Sequence, residues 1–523
     1  IPQGRMIALV GDAELDEGNV YECLQEGWKH DLRNVWWIID YNRQSLDGVV
    51  HEGLSERLGS VFEAFGWNLI ILKYGKLQKE AFDEPGGHLL KKWIDDCPNQ
   101  LYSALIYEGG STFKQRILDD IGDQDIVSEL INKRTDSEFL DLMANLGGHC
   151  VQTLIKVFEK VKDDKPTAFI AYTIKGWGTP LAGHKDNHAG LMTKAQMNSF
   201  KLKYGISDGN EWNRFSDEKN NAELDKYIKN LPFQKAKHRK FQSKKVSVDE
   251  NVFIKETKIS TQNAFGKILD QYAKNNTDFS RRILTTSPDV SVSTNLGPWI
   301  NRKGLFSRKD SSDTFKDRKI PSAQKWIFSS QGQHIELGIA EMNLFLMLGA
   351  AGLSHEFFGE RLFPIGTVYD PFISRGLDAM NYACYQDARF MIVGTPSGIS
   401  LAPEGGAHQS IGTPLIGISQ PGLLSFEPAF ADELALIMNY GFNYLQDEAG
   451  GSIYLRLTTR SIDQPMREID NELKNNIISG GYWLKKPGSN PEVIIVYQGA
   501  VASEAIESTA LLGEKFKDSG VLS

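Results

Sequence analysis

Cysteine is scarce in this 523-residue chain: Cys23, Cys97, Cys150 and Cys384 stand far apart. No two of them have the spacing of a zinc knuckle, a redox dithiol or a disulfide framework, so the expected setting is a reducing compartment, the cytoplasm. Long hydrophobic runs are missing too. None approaches the ~18 residues that a membrane span requires, and membrane insertion is not expected. Positive charge is not in excess: the formal net charge is -9, which removes the electrostatic ground for a nucleic-acid partner. The one basic stretch, 235–245, reads as a solvated linker. An initiator Met and a signal peptide are both lacking at Ile1, while an apolar VIIVY at 493–497 and a helix-like stretch from Ala502 run straight to the last residue. The expectation is a fragment of a longer protein.

What is present is the composition of a globular protein, 41% apolar and 24% charged, too long for one core and sized for two or three domains. Apolar strand-like runs (6–10, 35–39, 68–72, 168–172) alternate with helical stretches (21–28, 54–65). This pattern predicts an α/β fold, a doubly wound and mainly parallel sheet covered on both faces. A helix-rich insertion, about 76–160, interrupts it. Residues 207–248 are polar and suit a surface connection. A second α/β region begins near Thr261, with strands expected at 282–285, 390–393 and 452–457 and helices at 264–274, 341–352 and 431–439. The predicted domains are 1–235, a linker 236–260, 261–465, and 466–523, which holds a connection and the start of a third α/β domain.

Residues 7–19 read IALVGDAELDEGN, a buried strand, then Gly-Asp, then an acidic turn entering a helix. In doubly wound sheets ligands sit at the carboxyl ends of strands, where small residues such as Gly11 and Ala13 and helix N-termini can approach phosphate. Asp12 stands there. The next strand ends in Asp40-Tyr41-Asn42-Arg43-Gln44. Mg²⁺ takes hard oxygen ligands, a few from protein and the rest from phosphate and water; Asp12, the Asn42 side chain and a main-chain oxygen near Gln44 would provide them. Either dipeptide alone would pass for a strand-to-helix turn and a loop residue. Together, in the order strand, Gly-Asp, helix, strand, Asn, they resemble the signature of thiamine diphosphate enzymes, with Ala13 and Asp40 departing from the family's usual Gly and Asn.

The second region carries Gly332 to Asn343, GQHIELGIAEMN, before an apolar helix. It resembles the pyrimidine-binding domain of the transketolase superfamily, and the resemblance places Glu341 as the carboxyl group that hydrogen-bonds a pyrimidine nitrogen of the cofactor. The alternative is a first-turn carboxylate favoured by the helix dipole. The same likeness puts Asp289, in TSPDVSVSTNL, near the cofactor, Tyr369 or Phe372, in PIGTVYDPFISR, as a ring-stacking platform, and His408, in PEGGAHQ, within reach of substrate. The segment YTIKGWGTPLAGHKDNHAG at 172–190 resembles the active-site loop of these enzymes. It offers Lys175 as a cofactor contact and His184 and His188 as imidazoles able to exchange protons near neutral pH; His188, before Ala-Gly-Leu, is the expected catalytic one.

Three runs, NRQSLDG at 42–48, KGWG at 175–178 and QDARFMIVGTPS at 386–397, resemble the homodimeric, bacterial-type pyruvate dehydrogenase component that decarboxylates its substrate. That likeness implies thiamine diphosphate and Mg²⁺ as cofactors, a homodimer with each active site shared between subunits, a short 2-oxo acid substrate with pyruvate foremost, and acyl transfer to a lipoyl-bearing acyltransferase. The competing reading is a transketolase moving two-carbon units between sugar phosphates, which would need a set of basic phosphate-binding residues that the sequence does not display.

Overall fold

The computed structural model describes residues 4–45, 48–122, 125–213, 221–235, 243–398, 400 and 402–523. Leu46 and Asp47 of the NRQSLDG run, and 236–242 of the basic stretch, lie outside the described residues. The chain divides into two compact units, Ile1–Ala236 and Lys237–Ser523.

The first unit is built on four parallel strands, β1 (Met6–Gly11), β2 (Val35–Tyr41), β3 (Asn68–Leu72) and β4 (Thr167–Tyr172), in the order β1-β2-β4-β3. β4 is buried along its whole length, as expected of a central parallel strand covered on both faces. The helix Leu54–Ala64 covers one face through Leu58 and Phe62, and Leu154, Val157 and Phe158 cover the other against Trp36 and Phe169. At the β1 edge the expected cover is incomplete. Met6, Ile7 and Leu9 are exposed, because an edge strand has a neighbour on one side only. The predicted insertion is helical, from Lys76–Phe82 to Val151–Phe158, and packs around Phe113, Ile117 and Phe139, all fully buried.

The second unit contains β5 (Lys258–Ile259), β6 (Ile283–Pro288), β7 (Leu305–Phe306), β8 (Phe328–Ser329), β9 (His334–Leu337), β10 (Phe363–Val368), β11 (Met391–Gly394), β12 (Leu423–Phe426), β13 (Ser452–Arg456), β14 (Ile462–Asp463), β15 (Trp483–Lys485), β16 (Ile494–Val496) and β17 (Gly520–Leu522). Eight of these form one sheet in the order β12-β13-β11-β10-β6-β9-β7-β8, and its pairs are parallel. The expected helices form at Thr261–Asn275, Glu341–Gly352 and Ala431–Tyr444. Residues 466–523 lie in this unit and carry a three-stranded sheet, β15-β17-β16.

One stretch expected to run over the surface does not. Val246, Val248 and Val252 are buried in the second unit's core, and the Gln446 side chain accepts the Val246 N–H and donates to its carbonyl. In VSVDENV the apolar residues alternate, so one side of a short extended segment can be buried among polar neighbours.

Candidate active site

Strand register gathers the first unit's candidate residues. Gly11 pairs with Asp40 and Tyr41 with Tyr172, so β1, β2 and β4 end level and release Asp12, Asn42 and Lys175 at one edge. Asp12 is 2% exposed. Its Oδ1 accepts the Ala13 N–H at 2.9 Å and its Oδ2 the Arg43 N–H at 2.7 Å. Burial nevertheless pushes its pKa up to about 6, outweighing those two amides. Arg43 holds a left-handed φ of 66°. Its guanidinium lies 5.0 Å from the Tyr102 ring centroid and 5.9 Å from that of Tyr172, which pins the loop.

The neighbouring side chains converge on the same edge. Asn42 Oδ1 accepts the Gln44 N–H at 3.0 Å. Gln44 donates through Nε2 to the Gly183 carbonyl at 3.1 Å, while its Oε1 is buried without a hydrogen-bond partner among the described residues. Lys175 donates to the Ser45 carbonyl at 2.7 Å, and burial lowers its pKa against the attraction of Asp12. Asp40, where the family pattern has Asn, accepts the Thr173 hydroxyl.

Among the described residues no group of three or more His, Cys, Asp and Glu side chains could hold a metal. The donor set here is one carboxylate with amide and main-chain oxygens. This fits Mg²⁺ completed by phosphate and water, and a buried carboxylate with a raised pKa, beside an unpartnered amide oxygen, is a setting that a cation would stabilise. His188, the favoured loop histidine, is exposed, and the structure does not bring it to these groups. His184 accepts the Asp186 N–H and meets the Tyr107 ring.

A second group of candidate residues lies at the strand ends of the second unit's large sheet. Pro288 pairs with Leu337 and Val368 with Gly394, which places Asp289, the turn before Glu341, and Tyr369 along one edge. Asp289 has a left-handed φ of 61° and donates its N–H to Glu336 Oε1 at 3.0 Å. Behind it His334, fully buried, lies 2.9 Å from Thr285, Ser291 and Glu336. Glu341 opens its helix, 4% exposed, and pairs with Arg375 at 3.1 Å. Gly376 permits this approach, because a Cβ there would come within 2.7 Å of the Glu341 carbonyl oxygen.

Tyr369 and Phe372 stack at 6.1 Å and 19°, and the His408 ring meets them edge-on at 6.1 and 5.7 Å. Residues from two separate motifs therefore form one aromatic cluster. Its support was not legible in the sequence. Asp370, fully buried, accepts from Thr413 at 2.5 Å, from the Ser410 and Tyr454 hydroxyls, and from Arg456 at 3.3 Å. That carboxylate ties the platform to the turn after His408.

The chain's α/β fold is transketolase-like. Its structure is similar to the transketolase from Campylobacter jejuni (TM-score 0.61, 17% identity, covering 100% of this chain and 66% of that one) and to that from Leishmania mexicana (TM-score 0.63, 16% identity, 100% and 64%), a likeness of fold. Residues 243–465 match the family model described as pyruvate dehydrogenase E1 component, middle domain. The chain is similar to the pyruvate dehydrogenase E1 component of Escherichia coli K12, with 24% identity over 98% of this chain and 59% of the relative, and to that of Buchnera aphidicola subsp. Schizaphis graminum, with 26% identity over 91% and 55%. Along nearly its whole length the chain is therefore similar in sequence to pyruvate dehydrogenase E1 components, and in fold to transketolases. It spans about three fifths of the length of these relatives.

Proposed function

We propose that this chain carries the two half-sites of a thiamine diphosphate- and Mg²⁺-dependent enzyme that decarboxylates a short 2-oxo acid, pyruvate foremost. The acyl unit then passes to the lipoyl group of a partner acyltransferase, as in a 2-oxo acid dehydrogenase complex of the cytoplasm. The observation that carries this reading is the placement of the motif residues at level strand ends, Asp12, Asn42 and Lys175 in one unit and Asp289, Glu341 and Tyr369 in the other, in a chain similar throughout to pyruvate dehydrogenase E1 components.

Asp12, Asn42 and a main-chain oxygen near Gln44 would hold the metal, with Gly11, Ala13 and Lys175 toward the diphosphate. Asp289, Glu341, Tyr369 and Phe372 would hold the pyrimidine end. The bound cofactor supplies a nucleophilic carbon and an electron sink for decarboxylation. Glu341, buried at its helix N-terminus, would hydrogen-bond a pyrimidine nitrogen. Arg375, whose side chain is 54% exposed while that of Glu341 is 4%, would turn to solvent as the pyrimidine nitrogen takes its place on the buried carboxyl, so that the carboxyl is not left unpaired. His408, set against the aromatic platform, and His188, on its exposed loop, are the imidazoles for proton exchange with substrate.

The active unit is a homodimer. Ile339, Leu346, Tyr385, Ile411, Leu415 and Ile418 are exposed around the Glu341 helix and the His408 turn, apolar surface that suits burial against a second copy. The test is an assay of the purified protein with thiamine diphosphate and Mg²⁺. Reduction of an artificial electron acceptor with pyruvate is expected, and two-carbon transfer between xylulose and ribose phosphates is not. The reverse pattern would make the protein a transketolase.

A further inference from the structure

His149 is absent from every motif considered above, yet it lies at the first unit's strand-end edge. Gly147 and Gly148 deliver it there. A Cβ on Gly147 would come within 2.3 Å of the Leu72 carbonyl oxygen, and one on Gly148 within 2.7 Å of the Tyr172 carbonyl oxygen. The returning end of the helical insertion therefore runs directly over the ends of β3 and β4, as only glycine permits. The backbone is anchored there by Gly147 N–H to the Lys73 carbonyl at 3.0 Å and Gly148 N–H to the Tyr172 carbonyl at 2.9 Å.

From that anchor the imidazole makes two contacts, both with the loop that follows β4. Its Nε2 accepts the Ile174 amide N–H at 2.7 Å. One ring face lies flat on Trp177, with centroids 4.4 Å apart and planes 17° apart. Lys175 sits between these two points and reaches across to the Ser45 carbonyl. Trp177 is 55% exposed, so the stack, and not general burial, holds its ring. Burial also pushes the His149 pKa down to about 4, which leaves the ring neutral and able to accept at neutral pH.

We propose that His149 is a positioning residue: it clamps the start of the 174–190 loop at Ile174 and Trp177 and so fixes Lys175 toward the loop that carries Asn42 and Gln44. This rests on the reading of that edge as the diphosphate site, and it names what the end of the insertion does there.

The test compares wild type, His149→Ala, His149→Phe and Trp177→Ala, each without cofactor, by the rate of tryptic cleavage after Lys175 read by mass spectrometry. His149→Ala should raise that rate roughly tenfold, as expected when a local contact of one hydrogen bond and one stack is lost. His149→Phe, which keeps a flat ring but no acceptor, should fall between. Trp177→Ala should also raise the rate, and covers the case in which His149→Ala fails to fold. Calorimetric titration with Mg²⁺ and thiamine diphosphate should show weaker binding in the same order. Unchanged cleavage after Lys175 in a folded variant overturns the proposal, and so does equal acceleration at lysines throughout the chain, which marks a merely structural residue. Absence of cofactor binding in wild type would instead refute the functional reading, and the cleavage rates would still judge the clamp.

Discussion

The Asp12 carboxylate accepts the amide N–H of Arg43 at 2.7 Å. The side chain that would ligate the metal thus already ties the end of β1 to the loop after β2. This contact organises the loop holding Asn42 and Gln44 before any ligand arrives, which lowers the ordering cost of binding. Asp12→Ala should abolish Mg²⁺-dependent binding of thiamine diphosphate while the protein stays folded. Isothermal titration on the folded variant decides it, and near-normal affinity refutes the assignment of Asp12.

Glu341→Gln should separate binding from activation. The amide keeps the shape at the helix N-terminus, so cofactor affinity stays measurable, but it cannot exchange a proton as a carboxyl does. Hydrogen-deuterium exchange at the thiazolium carbon, followed by NMR, should be strongly suppressed. Exchange at the wild-type rate would remove Glu341 from this role.

Mixing the two inactive variants tests the shared site. Dimers that pair Asp12→Ala with Glu341→Gln chains contain one site with both defects and one with neither, so activity should return toward half of wild type in those mixed dimers. With subunit exchange verified by mass spectrometry, no recovery would show that one chain supplies a whole site.

Asp370→Ala should be the most destabilising of these changes. It leaves the Tyr454 hydroxyl buried without its carboxylate and takes from Arg456 one of its two, the other being Glu427. Breaking a buried charged pair from one side costs about 3–5 kcal/mol. Asp370→Asn, which retains one acceptor oxygen, should lose less. Denaturant melts of the two variants give the comparison, and equal, near-wild-type midpoints would contradict the hub.

Acid should weaken the second unit through His355, which is 1% exposed and lies 3.1 Å from the Gly352 carbonyl. Burial, helped by the Arg361 charge, lowers its pKa to about 4 from an ordinary 6.5. Between those values the unfolded chain takes up a proton that the folded chain refuses. Stability is therefore full above about pH 6.5 and falls toward pH 4, by about 1–3 kcal/mol from this residue. In His355→Gln the slope of stability against pH over that window should flatten; an unchanged slope would show that His355 takes no part.

Sequence alone determined where the first unit's strands release their residues. A continuous apolar run followed by a helix must end at the carboxyl edge of a parallel sheet, so Asp12 and Asn42 could be placed from local pattern and the Glu341 helix from its apolar run, whereas Asp289 and Tyr369 were placed by resemblance to family segments. The helix-rich character of the insertion was legible too, though not its role. Tertiary structure decided the partners. Asp370 takes its donors from positions 410 to 456, Arg375 reaches Glu341 across two helices and a strand, and His149 reaches a loop 25 residues ahead. Val246 and Val248 lie in the core, a placement whose one mark in the sequence is their alternation with polar residues. Such pairings depend on how distant segments align, and register and packing between segments leave no periodic trace in the residues that meet.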